Sequence, residues 1–203
     1  MVGKLIVFEG IDYSGKGTCI DNVARYLTSI GIQFIKTEEP NLKYGIRNVI
    51  KGELLQKQLV KDPLVDLFAF TLDRQLHVLG EIKPALAENK IVLCDRYYHS
   101  TLAYQSCLQG VSFDYVWAVQ SIFPKPDLTL ILDLPAELAM QRAAKRAVPK
   151  DKYENLEDQK ILRNAYLKIA QNLPERFEIL DATKPEEEVA QQAIKALKPK
   201  IGL

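Results

Sequence analysis

An apolar run, Leu5-Ile6-Val7-Phe8, leads straight into Glu9-Gly10-Ile11-Asp12-Tyr13-Ser14-Gly15-Lys16-Gly17-Thr18. Two glycines five positions apart, followed at once by lysine, have the spacing of a loop that wraps phosphate between a strand and a helix. Glycine at 10 and 15 permits dihedrals closed to other residues, so successive backbone N–H groups can curl around phosphate oxygens. The start of the following helix adds partial positive charge and Lys16 a full one. Gly10, Ile11, Asp12, Tyr13, Ser14, Gly15, Lys16, Gly17 and Thr18 are therefore the candidate nucleotide-phosphate site. The bland alternative, a tight turn with a chance lysine, fits less well between a strand and a helical pattern.

The rest of the chain repeats this strand–helix alternation. Ile91-Val92-Leu93-Cys94 and Leu128-Thr129-Leu130-Ile131-Leu132 are continuous apolar runs, as expected of strands buried on both faces of a parallel sheet. Residues 33–37 and 177–180 are weaker strand candidates. Helical patterns occupy roughly 16–29, 63–88, 135–147, 156–171 and 185–197, with Pro135 suited to be a first helical residue. The expectation is a doubly wound α/β fold in a single domain spanning 1–203. A charged, proline-broken stretch at 142–155 has the composition of a mobile lid, a plain solvated connection being the commoner alternative.

Charge and cysteine usage narrow the function. With 27 basic against 26 acidic residues the net charge is +1, too small for a nucleic-acid coat or a polybasic membrane anchor. No apolar run approaches a membrane span and the first residues lack a signal-peptide pattern. Cys19, Cys94 and Cys107 are odd in number and unpatterned, which reads as free, small, buried apolar residues in a reducing cytoplasm. His77 and His99 belong to no metal-ligand spacing and read as incidental. The guanine-nucleotide Asn-Lys-x-Asp motif does not occur.

A second charged cluster closes the third expected strand. Asp95 is placed to organise magnesium directly or through water, and Arg96 offers planar donors to a phosphoryl group. A strand-end ion pair would be the plainer reading of these two residues alone. However, Asp95-Arg96-Tyr97-Tyr98-His99-Ser100-Thr101-Leu102-Ala103-Tyr104-Gln105 resembles the DRYxxSTxAYQ signature of thymidylate kinases, and Glu9 to Thr18 resembles that family's EGIDxSGKxT loop. Glu39-Pro40, Pro126 to Asp133, Tyr153-Glu154-Asn155 and Asp181-Ala182 resemble its remaining motifs in the family's order, so the likeness runs from about residue 4 to 195.

The resemblance implies a three-layer P-loop NTPase fold with a five-stranded parallel sheet and a short lid. It implies magnesium-assisted transfer of a phosphoryl group from ATP to dTMP, and a homodimer built from helices around 63–79 and 100–120. Helical periodicity bears on the acceptor independently. Leu64, Leu67, Phe68, Thr71, Leu72, Gln75, Leu76 and Leu79 form one stripe, expected to pack on the sheet, whereas Phe70 and Arg74 lie off it, one turn apart. The family carries this Phe-x-x-x-Arg pair as its thymine clamp; another buried contact is the alternative for Phe70. By the same matching, Asp12 addresses the acceptor's sugar and phosphate region, Tyr104 crowds the 2′ position and Gln105 lies near the base. Ser100 and Tyr153 complete the acceptor set. Arg142 and Arg146, four apart on the helix entering the lid, are candidate cations for the moving phosphate, with a solvated helix face the equal alternative.

Three positions depart from the family pattern. Glu38 stands where many bacterial members have arginine, leaving Lys43 or Arg47 as candidate holders of the acceptor phosphate. Tyr13 is bulky where small residues are common. Gly17 replaces the magnesium-binding hydroxyl, and the order Gly-Lys-Gly-Thr resembles adenylate kinases. These departures leave open a different acceptor, such as dUMP or another deoxynucleotide, or a catalytically weak nucleotide-binding paralogue.

Overall fold

In the computed structural model, which describes residues 2–41, 43, 62–146 and 155–203 (Arg146 by its backbone alone), the apolar runs form one sheet. Its strands are β1 Lys4–Glu9, β2 Phe34–Glu38, β3 Ile91–Asp95, β4 Leu128–Asp133 and β5 Phe177–Asp181, in the order β2-β3-β1-β4-β5. All four pairings are parallel. Ile6, Val7 and Phe8 of β1 and Val92, Leu93 and Cys94 of β3 are fully buried, as continuous apolar strands covered on both faces must be. Each such large apolar side chain contributes about 1.5–3 kcal/mol of transfer free energy. This is the expected three-layer α/β fold with a five-stranded parallel sheet.

The described helices are α1 Lys16–Ser29, α2 Pro63–His77, α3 Lys83–Ala87, α4 Tyr98–Thr101, α5 Phe113–Gln120, α6 Ala136–Arg146, α7 Leu156–Asn172 and α8 Glu186–Leu197. A π-helical segment, Val78–Ile82, joins α2 to α3, and another, Leu102–Leu108, continues α4. Asp62 caps α2, its Oδ1 accepting the Leu64 N–H at 2.9 Å, and Asn155 caps α7 by accepting from Asp158 N–H at 2.9 Å. Pro135 stands one position before its helix rather than opening it: its carbonyl accepts from Leu138 and Ala139.

Two expectations about packing are corrected. The apolar stripe expected over 63–79 does not lie on the sheet: Leu64, Phe68 and Leu72 of α2 and Leu79 of the π-helical segment are exposed, and of that stripe Leu67 is the side chain in the core. The inward face instead carries Asp66, Asp73, Arg74 and His77. The periodicity located the apolar face correctly but not its partner. Cys107 is exposed, unlike buried Cys19 and Cys94.

The chain crosses from β3 over β1 to β4, so strand order reverses at β1. The crevice beyond the carboxyl ends at such a point is where open α/β sheets bind ligands. Every strand ends in a carboxylate there: Glu9, Glu38, Asp95, Asp133 and Asp181.

Candidate active site

The loop after β1 has the geometry its glycines foretold. Gly10 has φ 138°, and a Cβ there would lie 2.7 Å from the Leu132 carbonyl at the end of β4, so only glycine lets the loop pass. Gly15, φ 95°, caps α1. Tyr13 sits at φ 61°, a left-handed conformation unusual for so bulky a residue. Lys16 opens α1 and is nearly buried, its Nζ donating to the carbonyls of Gly10 at 3.2 Å and Ile11 at 3.1 Å.

Arg96 reaches the same loop from the tip of β3. Its backbone is also left-handed, φ 67°, held by its N–H donating to the Phe8 carbonyl at 2.9 Å. Its Nη1 donates to Gly10 O at 3.3 Å, Ser100 Oγ at 3.2 Å and the Tyr166 hydroxyl at 3.0 Å; its Nη2 donates to Asp12 Oδ1 at 2.5 Å. The guanidinium also lies 5.7 Å from the Tyr104 ring centroid. Asp12 accepts from the Tyr104 hydroxyl at 3.3 Å and from Gln159 Nε2 at 3.5 Å, while its N–H donates to Gln159 Oε1 at 3.2 Å.

Glu9 anchors this constellation. Fully buried, it accepts from the N–H groups of Tyr97 and Ser100 and from Ser100 Oγ, at 2.8, 3.1 and 2.7 Å. Ser100, expected at the acceptor, is thus bonded to Glu9, Arg96 and Tyr166 within the protein.

The electrostatics follow from this crowding. Burial lowers the Lys16 pKa, Arg96 lowers it further, and Asp95, Asp12 and Glu9 oppose the fall. Burial would raise Asp12, but Arg96 and Lys16 hold its carboxyl below the usual aspartate value. Asp95, in register with Phe8 of β1, has a buried Oδ1 with no hydrogen-bond partner. Such an orphaned acceptor at a phosphate loop fits a divalent cation. Among the described residues no group of three His, Cys, Asp or Glu side chains could cage a metal. A magnesium ion here would share Asp95 with water and nucleotide phosphates, as it commonly does.

Other expected residues fall elsewhere. Arg142 lies against the outer side of the phosphate loop, Nη1 donating to the carbonyls of Tyr13 and Ser14 at 3.4 Å each and Nη2 to the Ala182 carbonyl at 2.9 Å. There it walls a cavity of about 280 Å³ with Tyr13, Thr18, Lys145 and Lys184. Phe70 is half-buried and Gln105 buried. Arg74 is 2% exposed and held by Glu39 (Nε 2.9 Å, Nη2 2.6 Å), Thr101 and Gln120, with Tyr97 and Phe123 rings over it. Lys43 pairs with Glu81 at 3.4 Å. Tyr153, Arg47, the Arg146 side chain and 147–154 of the expected lid lie outside the described residues.

Glu9, Glu39, Gln159 and Tyr166 were not singled out from the sequence as site residues. Gln159 and Tyr166 share a face of α7, and their seven-residue spacing was the available signal. The histidines are buried and paired: His77 Nδ1 meets Glu39 Oε1 at 3.0 Å and Nε2 meets Thr37 Oγ1 at 2.6 Å, while His99 Nε2 meets Glu175 Oε2 at 3.0 Å.

The family model described as thymidylate kinase matches residues 8–193 of this chain. The chain belongs to the thymidylate kinase family. It is 37% identical to the thymidylate kinase of Sulfurihydrogenibium sp. (strain YO3AOP1), over 97% of this chain and 98% of that protein. It is also 37% identical to the probable thymidylate kinase 1 of Saccharolobus solfataricus, over 98% of each. The thymidylate kinase of Latilactobacillus sakei matches at 34% identity, over 97% of this chain and 95% of that protein.

Proposed function

We propose that this protein transfers the γ-phosphoryl group of ATP to dTMP, yielding ADP and dTDP. The observation that carries the reading is the meeting of Lys16 and Arg96 on one carbonyl, Gly10, with Asp12 paired to Arg96. Phosphoryl transfer asks little covalent work of a protein; it asks that spreading negative charge be held in line and neutralised. Two preorganised cations at one point, dehydrated by burial, supply that neutralisation without reorganising during the reaction.

Lys16 and the loop N–H groups hold the donor phosphates, and the cavity beside Arg142 takes the donor's nucleoside. Asp12 addresses the acceptor sugar and Tyr104 crowds its 2′ position. Phe70 stacks on the base and Arg74, locked by Glu39, donates to a base carbonyl. Arg96 lies between the two nucleotides. Asp95 would hold magnesium, which when bound would supply further positive charge to the donor phosphates. The loss of either Lys16 or Arg96 costs on the order of 10²–10³ in rate.

The protein works as a homodimer in which the exposed face of α2 packs on its counterpart in a second copy. Leu64, Phe68 and Leu72 of α2, with Leu79 of the π-helical segment that follows, are exposed apolar side chains whose burial between copies would be isologous. Its free thiols suit a reducing cytoplasm. No described helix is long and apolar enough to cross a membrane.

The test is ADP formation from magnesium-ATP with dTMP, dUMP, dGMP, AMP and CMP offered separately. Turnover selective for dTMP is expected. Selectivity for another acceptor would refute the substrate, and no acceptor-dependent turnover would refute the enzyme.

A further inference from the structure

The inward face of helix α7 holds both members of the Asp12–Arg96 pair. Gln159 and Tyr166 are each 1% exposed and stand two turns apart. Gln159 grips Asp12 twice, accepting its backbone N–H and donating to its Oδ2. Tyr166 accepts from Arg96 Nη1 at 3.0 Å, and its oxygen lies 2.9 Å from Ser100 Oγ. Between them Arg163 ties α7 to the tip of β4, Nε and Nη2 meeting Asp133 at 2.6 and 2.9 Å. The helix is thereby fastened to β4 while two of its side chains reach the phosphate loop and the β3 tip.

We propose that Gln159 and Tyr166 are positioning residues for phosphoryl transfer, setting Asp12 and Arg96 in register from a single helix. The inference rests on the dTMP kinase reading for its kinetic readout but not for its geometry. The residue types suit the task. An amide both accepts from an N–H and donates to a carboxylate, which glutamate cannot do when ionised. Tyr166 is held neutral, because burial and the nearby Glu9 carboxylate raise its pKa well above the ordinary tyrosine value. It therefore accepts from the guanidinium without neutralising it, and Arg96 keeps its charge for the phosphate. A guanidinium that loses one partner can rotate about its remaining bonds, and small misplacements of a catalytic group are costly in rate.

The decisive variant is Tyr166→Phe, which removes one oxygen and keeps the ring. The expected result is a fall in kcat with dTMP of about tenfold or more, with the ATP KM and Tm near wild type. An unchanged kcat, or a loss that merely tracks the folded fraction, would overturn the proposal. At the second position, Gln159→Glu sets an introduced carboxyl against Asp12, so its deficit relative to wild type at equal pH should ease from about pH 8 to about pH 6. Gln159→Met should show a deficit that does not vary with pH; identical profiles for the two variants would contradict the amide's role. Arginine-selective ¹⁵N NMR of the unliganded protein gives a readout without turnover. Tyr166→Phe should shift the Arg96 Nη signals, and unchanged signals would reject the inference. If wild type fails to phosphorylate dTMP, the functional reading falls, while the NMR comparison still decides the roles of these residues.

Discussion

Lys16 and Arg96 donate to one oxygen, the Gly10 carbonyl, from 3.2 and 3.3 Å. Two cations this close repel, and the arrangement holds because Asp12, Asp95 and Glu9 surround them. The excess of carboxylates matters as much as the cations, because it fixes the guanidinium and the ammonium before a phosphate arrives. Substitutions around this centre therefore separate into those that change charge, those that change geometry and those that only change stability.

Phe70 and Arg74 share α2 but should fail differently. Phe70 is half-buried, so Phe70→Ala should raise the dTMP KM about tenfold or more with little change in Tm, as expected for loss of a stacking ring. Arg74→Ala should destabilise the fold by about 3–5 kcal/mol, because Glu39 is left buried without its arginine. Steady-state kinetics and thermal melts of the two variants check this. Equal Tm losses would contradict the separation.

Asp73 gives the stability a pH dependence. Its carboxyl is pushed up to about 6, chiefly by burial and further by Glu39, against the pull of the Asn41 N–H. The folded value lies above the unfolded one of about 3.9, so the stabilisation is complete below that value and lost as pH rises through about 6. Asp73→Asn keeps an oxygen for the Asn41 N–H bonded at 2.8 Å. It should therefore leave stability near wild type at acid pH and raise it on the order of 1–3 kcal/mol at pH 8. Denaturant titrations at both pH values measure the difference.

Gly17 is in α1, and a Cβ built there meets nothing within 4 Å. Gly17→Ser should fit, and should stabilise the helix by up to about 0.5–1 kcal/mol. The hydroxyl then stands directly after the lysine, where other phosphate loops bind magnesium, and half-maximal activity should need less magnesium. Tm and a magnesium titration of turnover report the two effects separately.

The exposed apolar side chains on α2 make the proposed dimer testable without disturbing the core. Leu72→Glu should fold, since Leu72 is about half exposed in the single chain, 51%. It should shift sedimentation from dimer to monomer at micromolar concentration. A variant that sediments like wild type would show that these side chains are not the contact.

The sequence displayed local chemistry well and long-range chemistry poorly. Lys16, Asp12 and Gly10 lie within one loop and Arg96 within one signature, so their types and spacing were enough to place them at strand tips. Gln159 and Tyr166 act on residues far away in the chain, and their role exists only once α7 lies over the loop. The α2 stripe was visible as a stripe, but periodicity does not say whether an apolar face meets the chain's own sheet or another molecule. Helices α4 and α5 escaped notice because the π-helical Leu102–Leu108 segment breaks the 3.6-residue rhythm between them. Arg74 was legible as an outlier from the stripe, yet its burial against Glu39 required the fold.

The most direct measurement is single-turnover transfer of labelled γ-phosphate from ATP to dTMP in wild type, Lys16→Met and Arg96→Lys. Arg96→Lys preserves charge but loses the planar fork that spans Gly10, Ser100, Tyr166 and Asp12. Wild type should deliver the label to dTDP rather than to inorganic phosphate, and both variants should be slower by about 10²–10³. Transfer by Arg96→Lys at the wild-type rate would contradict the account.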